Sequence, residues 1–177
     1  MNDLQKRTWA EISLGNIRHN YEAIRAALPR GCRFLGVVKA DAYGHGSLRI
    51  SRLLQEAGAD YLAVSCLDEA LELRQGGITV PILILGHTPP EYTAQLISLD
   101  ITQTVTCLAK ALEYSAEASR LGRELKIHIK LDTGMSRLGY LCAGEHFDEG
   151  VKNVIDSCRL PGLIHEGIYT HFAVSDE

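Results

Sequence analysis

The sequence predicts an α/β protein whose parallel strands form part of a (β/α)8 TIM-type barrel. Strand and helix patterns alternate with a repeat of roughly 20–30 residues, which is typical of parallel strands joined by right-handed crossovers. Lys39, Lys130 and His171 each stand at or near the C-terminal end of a predicted strand, where barrel enzymes place their functional side chains. The first strand–helix turn lacks the G-x-G-x-x-G pattern of dinucleotide folds. We therefore favour a barrel over an open doubly wound sheet.

Buried strands are predicted where short runs of the sequence are rich in branched apolar residues. Pro81 is placed near the start of the third of these strands, where its missing N–H is tolerated. The fifth run alternates apolar and polar residues, which predicts two different faces. The six runs lie at residues 34–39, 61–64, 80–85, 101–105, 125–131 and 167–171.

Helices are predicted between these strands, where apolar residues recur every three or four positions. Ser47 and Thr106 are the predicted N-caps of two of them, and glycines 58, 76 and 122 follow predicted helix ends. Helices are also expected over about residues 67–74 and from about residue 90. The clearest apolar faces are Ile17, Tyr21, Ile24 and Leu28; Ile50, Leu53, Leu54 and Ala57; and Phe147, Val151, Val154, Ile155 and Cys158.

The number of predicted strands is too small for a closed barrel. About six strand–helix units are predicted, whereas an eight-stranded barrel typically needs about 250 residues. The 177 residues also end just past a predicted strand. We expect residues 1–177 to be the N-terminal part of a barrel, with the remaining strands and any further domain outside this chain.

Composition excludes several classes of function. A net charge of −4 and a pI near 6.0 give no basic surface for nucleic acid. No apolar stretch is long enough to cross a membrane, and the first residues lack the apolar centre of a signal peptide. The five cysteines are widely spaced and form no C-x-x-C, so we expect a reduced, cytoplasmic setting. The histidines show no spacing typical of a metal site, and none is expected.

Lys39 is the most informative residue, because it closes the first apolar strand. Burial at such a position favours the uncharged amine, which is the form that attacks carbonyl carbon. Tyr43, Gly44 and Gly46 follow closely. This combination predicts a loop shaped around a ligand.

The fifth strand predicts a second functional position. If its apolar residues face the surrounding helices, Lys130 points into the barrel near its mouth, where an unpaired ammonium is costly. Lys130 then needs a carboxylate partner or a modification that removes or inverts its charge. The following loop presents Arg137, whose planar guanidinium suits a carboxylate or phenolate oxygen.

Three ordered segments resemble the alanine racemase family of pyridoxal 5'-phosphate (PLP) enzymes. These segments are VVKADAYGHG at residues 37–46, KLDTGMSRLG at residues 130–139 and YTHFA at residues 169–173. The similarity runs from about residue 8 to the end and covers about the first half of a family member. It implies a PLP-binding barrel followed by a C-terminal β-domain that is absent from this chain.

The resemblance also implies roles for five residues around the cofactor. Lys39 would hold PLP as a Schiff base and, once displaced by substrate, exchange the Cα proton on one face. Tyr43 would contact the cofactor phosphate, and His171 would pack beside the pyridine ring. Val37 and Leu85 would form walls of the pocket.

Two further roles follow from the resemblance. Arg137 would lie near the phenolic oxygen of the cofactor and bind the substrate carboxylate. Lys130 matches a lysine that is often carbamylated in this family, and a carbamate there would pair with Arg137. A carbamate or an ordinary salt bridge would each solve the charge problem of Lys130.

The implied activity is interconversion of L- and D-alanine by two bases, with D-alanine supplied to peptidoglycan. The second base would be a tyrosine from the β-domain of the partner subunit in a homodimer, so the chain alone is expected to be inactive. A serine racemase of the same family is one alternative. A non-catalytic PLP-binding barrel is another, and it would not need Arg137.

Overall fold

The computed structural model describes residues 8–175, which form strands alternating with helices. The strands within this range are β1 (Leu35–Val37), β2 (Tyr61–Val64), β3 (Ile82–Ile84), β4 (Ile101–Val105), β5 (Leu125–Asp132), β6 (Tyr140–Leu141) and β7 (Leu163–Thr170). The helical segments are α1 (Leu14–Ala27), α2 (Lys39–Gly44), α3 (Ser47–Glu56), α4 (Leu67–Gln75), α5 (Thr93–Ser98), α6 (Leu108–Arg120) and α7 (Phe147–Cys158). Short 3-10 turns precede α5 and α7.

All strand pairs are parallel, and the strands follow one another in chain order. Strands β1 to β5 pair successively, and β7 pairs with β5 along its whole length. The two-residue β6 pairs with the end of β5. A doubly wound sheet would reverse its strand order at a switch point, whereas a barrel wall does not. The prediction of an α/β fold with part of a parallel barrel is therefore confirmed.

Burial explains why these segments became strands and helices. All three residues of β3 and all five of β4 are buried, as predicted for strands covered on both faces. Helix α6 buries Ala111, Tyr114 and Ala118 in the core and contacts β4, β5 and β7.

Within residues 8–175, no helix combines the length and the apolarity needed to cross a bilayer.

Several predicted boundaries differ from the structure. Strand β1 ends at Val37 rather than at residue 39, because a left-handed turn begins at Lys39. Strand β7 starts at Leu163, four residues before the prediction, and ends one residue before His171. Strand β6 was not predicted.

Both predicted N-caps are wrong. The cap of α3 is Gly46, whose φ of 90° suits glycine, and Ser47 is the first helical residue. The Ser47 N–H instead donates to Asp41 Oδ1 over 2.6 Å. The cap of α6 is Cys107, the residue after Thr106, and Cys107 has an extended backbone conformation.

Candidate active site

A cavity of about 530 Å³ opens where strands β1, β2, β3, β5 and β7 end. Its volume is in the range typical of small-molecule sites. The residues predicted from the sequence for the site all line this one cavity: Val37, Lys39, Tyr43, Leu85, Lys130, Arg137 and His171. Within the described part of the chain, no group of three metal-binding side chains occurs.

Lys39 begins a turn with unusual backbone geometry. Its next four residues, Ala40 to Tyr43, all lie in the left-handed region, with φ between 51° and 55°. For residues with a Cβ this conformation costs roughly 1–2 kcal/mol each. The turn therefore needs contacts that hold it in place.

Contacts fix the turn at both ends. Before it, the Val38 N–H donates to the Ala63 carbonyl over 2.8 Å and continues the pairing of β1 with β2. After it, the Asp41 carboxylate accepts from the N–H of Ser47, as described above. In the middle, the Ala40 N–H donates to Glu69 Oε1 over 2.8 Å. The half-buried Lys39 side chain therefore leaves a fixed stretch of backbone.

Glu69 has a larger role than its position on an acidic helix suggested. From the sequence, Asp68, Glu69 and Glu72 are expected to cover a solvated helix face. Asp68 and Glu72 are indeed exposed, whereas Glu69 is half-buried and its carboxylate is engaged in hydrogen bonds. Besides Ala40, it accepts hydrogen bonds from the Ser65 N–H over 2.7 Å and the Ser65 hydroxyl over 2.8 Å. Burial alone would raise the pKa of Glu69, but these hydrogen bonds outweigh it and lower that pKa.

Tyr43 and His171 lie at the mouth of the cavity. The Tyr43 side chain is 62% exposed, so its hydroxyl is available to a ligand or to another part of the protein. His171 directly follows the last residue of β7 and is also exposed. Val37 and Leu85 contribute apolar surface to the wall of the cavity.

Arg137 belongs to a loop built around one carboxylate. The buried Asp132 accepts hydrogen bonds from the N–H groups of Gly134, Ser136 and Arg137 at 2.9 to 3.0 Å. The first two of these bonds are the main reason that the pKa of Asp132 is lowered. The loop closes at Gly139, whose φ is 129°, and a Cβ there would lie 2.7 Å from the Asp132 nitrogen. Only glycine fits this close approach.

Lys130 points into the cavity, as predicted, and is only 6% exposed. Its Nζ donates to the Leu131 carbonyl over 3.2 Å and lies 5.6 Å from the centre of the Tyr169 ring. Among the ion pairs of the described residues, none involves Lys130. Burial lowers the pKa of Lys130, and Arg137 lowers it further against the opposing effect of Asp132.

Two further side chains line the cavity and received no role from the sequence. His128 precedes Lys130 by two positions in β5, so the alternation of that strand already placed both on one face. Burial lowers the pKa of His128. Tyr169 donates to or accepts from the Thr104 hydroxyl over 2.9 Å, which fixes the ring beside Lys130. A Cβ on Gly167 would lie 2.7 Å from the His128 ring, so this glycine lets β7 pass close to it.

Comparisons with known proteins point to one family. A family model described as alanine racemase, N-terminal domain, matches residues 12–177. Alanine racemase 2 of Caldanaerobacter subterraneus subsp. tengcongensis is 43% identical over 100% of this chain and 45% of its own length. The alanine racemase of Clostridium perfringens strain SM101 is 47% identical over 96% of this chain and 42% of its own length.

Solved structures show the same relationship. The alanine racemase of Clostridium difficile 630, in complex with cycloserine, superposes with a TM-score of 0.89 and 42% identity. The match covers 99% of this chain and 47% of that one. The chain thus spans somewhat less than half the length of the relatives it matches.

Proposed function

The chain belongs to the alanine racemase family, and we propose that it forms the PLP-binding part of a racemase that interconverts L- and D-alanine. The main support is that one cavity, at the ends of parallel strands, collects Lys39, Tyr43, Lys130, Arg137 and His171. We further propose that residues 1–177 are the N-terminal part of the barrel in a longer protein, because the relatives are more than twice as long.

The residues around the cavity fit PLP. The Lys39 amine would bind the cofactor through its aldehyde, and the exposed Tyr43 would donate to its phosphate. Arg137 would pair with its phenolic oxygen. The apolar surfaces of Val37 and Leu85, with His171, would enclose the ring. When bound, PLP withdraws electrons from the substrate Cα and makes the Cα proton removable.

The side chains of this chain would then do half of the proton transfer. Lys39 Nζ would take and return the proton on one face of the substrate, and Arg137 would orient the substrate carboxylate. We propose that a tyrosine of the C-terminal β-domain, from the partner subunit of a homodimer, is the base on the other face. A chain of 177 residues would therefore be inactive alone.

Lys130 would be carbamylated. Its lowered pKa favours the neutral amine, which adds to carbon dioxide with loss of one proton to give a carbamate anion. That anion would pair with Arg137 and remove the cost of a buried ammonium. Carbon-13 NMR of the protein in labelled bicarbonate should show a carbamate signal that Lys130→Ala abolishes. Persistence of the signal in that variant would exclude this site.

We propose a cytoplasmic enzyme whose D-alanine enters peptidoglycan. Serine instead of alanine is the alternative substrate, and residues outside this chain would contribute to that choice. The full-length protein should therefore be assayed with both amino acids. If PLP is bound and neither D-alanine nor D-serine forms, the non-catalytic PLP-binding barrel is the correct function.

Borohydride reduction of the PLP-loaded protein tests the cofactor site directly. Reduction makes the link between a lysine and pyridoxal permanent, so peptide mass analysis should find the label on Lys39 and on no other lysine. Lys39→Ala should abolish both the label and racemisation. The matched control is Lys152→Ala, which removes an exposed lysine that pairs with Asp156 and should change neither. A label on any other lysine would overturn the assignment.

A further inference from the structure

We infer that Glu69 is a positioning residue for Lys39, which it acts on through the backbone of the turn that follows. This inference rests on the proposed role of Lys39 as the cofactor lysine and base. Glu69 is not among the residues that line the cavity, and its carboxylate contacts the backbone beside Lys39.

The contacts of Glu69 join the ends of two neighbouring strands. One carboxylate oxygen accepts from the N–H of Ala40, the residue after Lys39, over 2.8 Å. The other accepts from both the N–H and the hydroxyl of Ser65, at 2.7 and 2.8 Å. Ser65 directly follows β2 and lines the cavity. One side chain therefore ties the exit of β1 to the exit of β2.

The helix that carries Glu69 makes it a rigid anchor. Glu69 lies in the first turn of α4, next to Ala70, and both Ala70 and Leu73 are fully buried. Asp68, its other neighbour, is exposed to solvent. The carboxylate therefore stays fixed relative to the core, whereas Asp68 serves no comparable contact in the described structure.

The turn beside Lys39 needs such an anchor because it is strained. Its four residues Ala40 to Tyr43 all have left-handed φ, a conformation that residues with a Cβ seldom adopt. Other contacts of the turn include the Asp41 carboxylate with the Ser47 N–H and the Ala42 N–H with the Val38 carbonyl, and neither engages the N–H of Ala40. Ala40 directly follows Lys39, the residue with the catalytic amine. Without Glu69, the N–H of Ala40 would have no hydrogen-bond acceptor. A shift of about 1 Å in a catalytic group can cost 100-fold in rate.

The test compares three variants in the full-length, folded protein. Glu69→Ala removes all acceptor atoms, and Glu69→Gln keeps one acceptor oxygen. Asp68→Asn is the matched control, since it removes the same charge from the same helical turn. The first measurement is amide hydrogen exchange of residues 40–47 in cofactor-free protein, and the second is kcat and KM for racemisation of the loaded protein.

In Glu69→Ala we expect exchange of residues 40–47 to rise about 10-fold or more while exchange in β3 and β4 stays unchanged. We expect kcat to fall about 10- to 100-fold, with KM changed much less. Glu69→Gln should lie between wild type and Glu69→Ala in both measurements, and Asp68→Asn should match wild type. This graded response would not arise from general loss of stability, which would raise exchange throughout the chain.

Two results would overturn the inference. One is unchanged exchange of residues 40–47 in both Glu69 variants. The other is faster exchange of those residues with kcat unaffected, since Glu69 would then hold the turn without positioning Lys39. If Glu69→Ala does not fold, Glu69→Gln supplies both measurements. Absence of racemisation by the wild-type protein would refute the proposed function. The exchange measurement would still show whether Glu69 holds the turn.

Discussion

The turn after β1 and the loop after β5 are both held by a carboxylate, but the two carboxylates come from different parts of the chain. Each follows a parallel strand and brings a basic side chain to the cavity, Lys39 in one case and Arg137 in the other. Each is held by a carboxylate that accepts backbone N–H groups. In the loop after β5 that carboxylate is Asp132, the last residue of the strand itself. In the turn after β1 it is Glu69, 29 residues further along the chain than Ala40.

The comparison shows that a local and a remote anchor place different demands on the fold. The Asp132 anchor is local, because Asp132 accepts from residues two, four and five positions ahead. In the Lys39 turn, by contrast, the N–H of Ala40 is held by a carboxylate on helix α4, so this part of the turn depends on where α4 packs. We therefore expect the loop after β5 to respond to changes in its own sequence and the Lys39 turn to respond to changes in α4.

The largest expected effect comes from Gly139→Ala, at the end of the loop after β5. A Cβ there would lie 2.7 to 2.8 Å from the backbone of Lys130, Leu131 and Asp132, so either the loop or β5 must move. We expect a loss of about 2–3 kcal/mol in the free energy of unfolding, measured by urea denaturation.

Gly134→Ala is the matched control for this clash. Its φ of 130° is nearly that of Gly139, but no atom lies within 4 Å of the added Cβ. We expect a loss of about 1 kcal/mol, which isolates the cost of backbone strain. Equal losses in the two variants would show that the close approach to β5 has no energetic weight.

Asp132→Asn should have a smaller effect, confined to the loop after β5. The asparagine offers one acceptor oxygen where the carboxylate offers two, and its amide would face backbone N–H groups. We expect a loss of about 1–2 kcal/mol in unfolding free energy. Amide exchange should rise in residues 133–139 and stay unchanged in residues 40–47. A rise in both segments would contradict the independence of the two anchors.

Sequence reasoning identified most of the strands and the residues at their ends, since both follow from short apolar runs. Lys39 and Lys130 were found because they lie at or near the ends of such runs, and Arg137 because it lies in the loop that follows one. The resemblance supplied roles for all three. Local patterns do not encode which partner a side chain meets after folding. The anchoring roles of Glu69 and Asp132 were therefore not predicted, although Asp132 lies in a segment that the resemblance identified.

The left-handed turn is a second feature that the sequence did not indicate. Its residues Ala40, Asp41, Ala42 and Tyr43 have no preference for positive φ, apart from the tolerance of aspartate. The conformation exists because contacts at its ends outweigh its cost. The sequence predicts a loop here, whereas the structure forms a left-handed helical turn whose handedness depends on tertiary structure.

Acid should reduce the exchange protection of residues 40–47 and 133–139. The variants Glu69→Gln and Asp132→Asn should show that the two segments respond independently. The pKa values of Glu69 and Asp132 are both lowered in the folded protein, so each carboxylate adds stability above its unfolded pKa. That stability is lost as the pH falls below about 4 and through the folded values. Exchange protection of residues 40–47 and 133–139 should therefore decrease over this range. Glu69→Gln should weaken the pH response of the first segment alone and Asp132→Asn that of the second, because each variant lacks the carboxylate whose pKa is lowered in the folded protein. If one variant flattens both responses, the two segments share an anchor and the contrast between them fails.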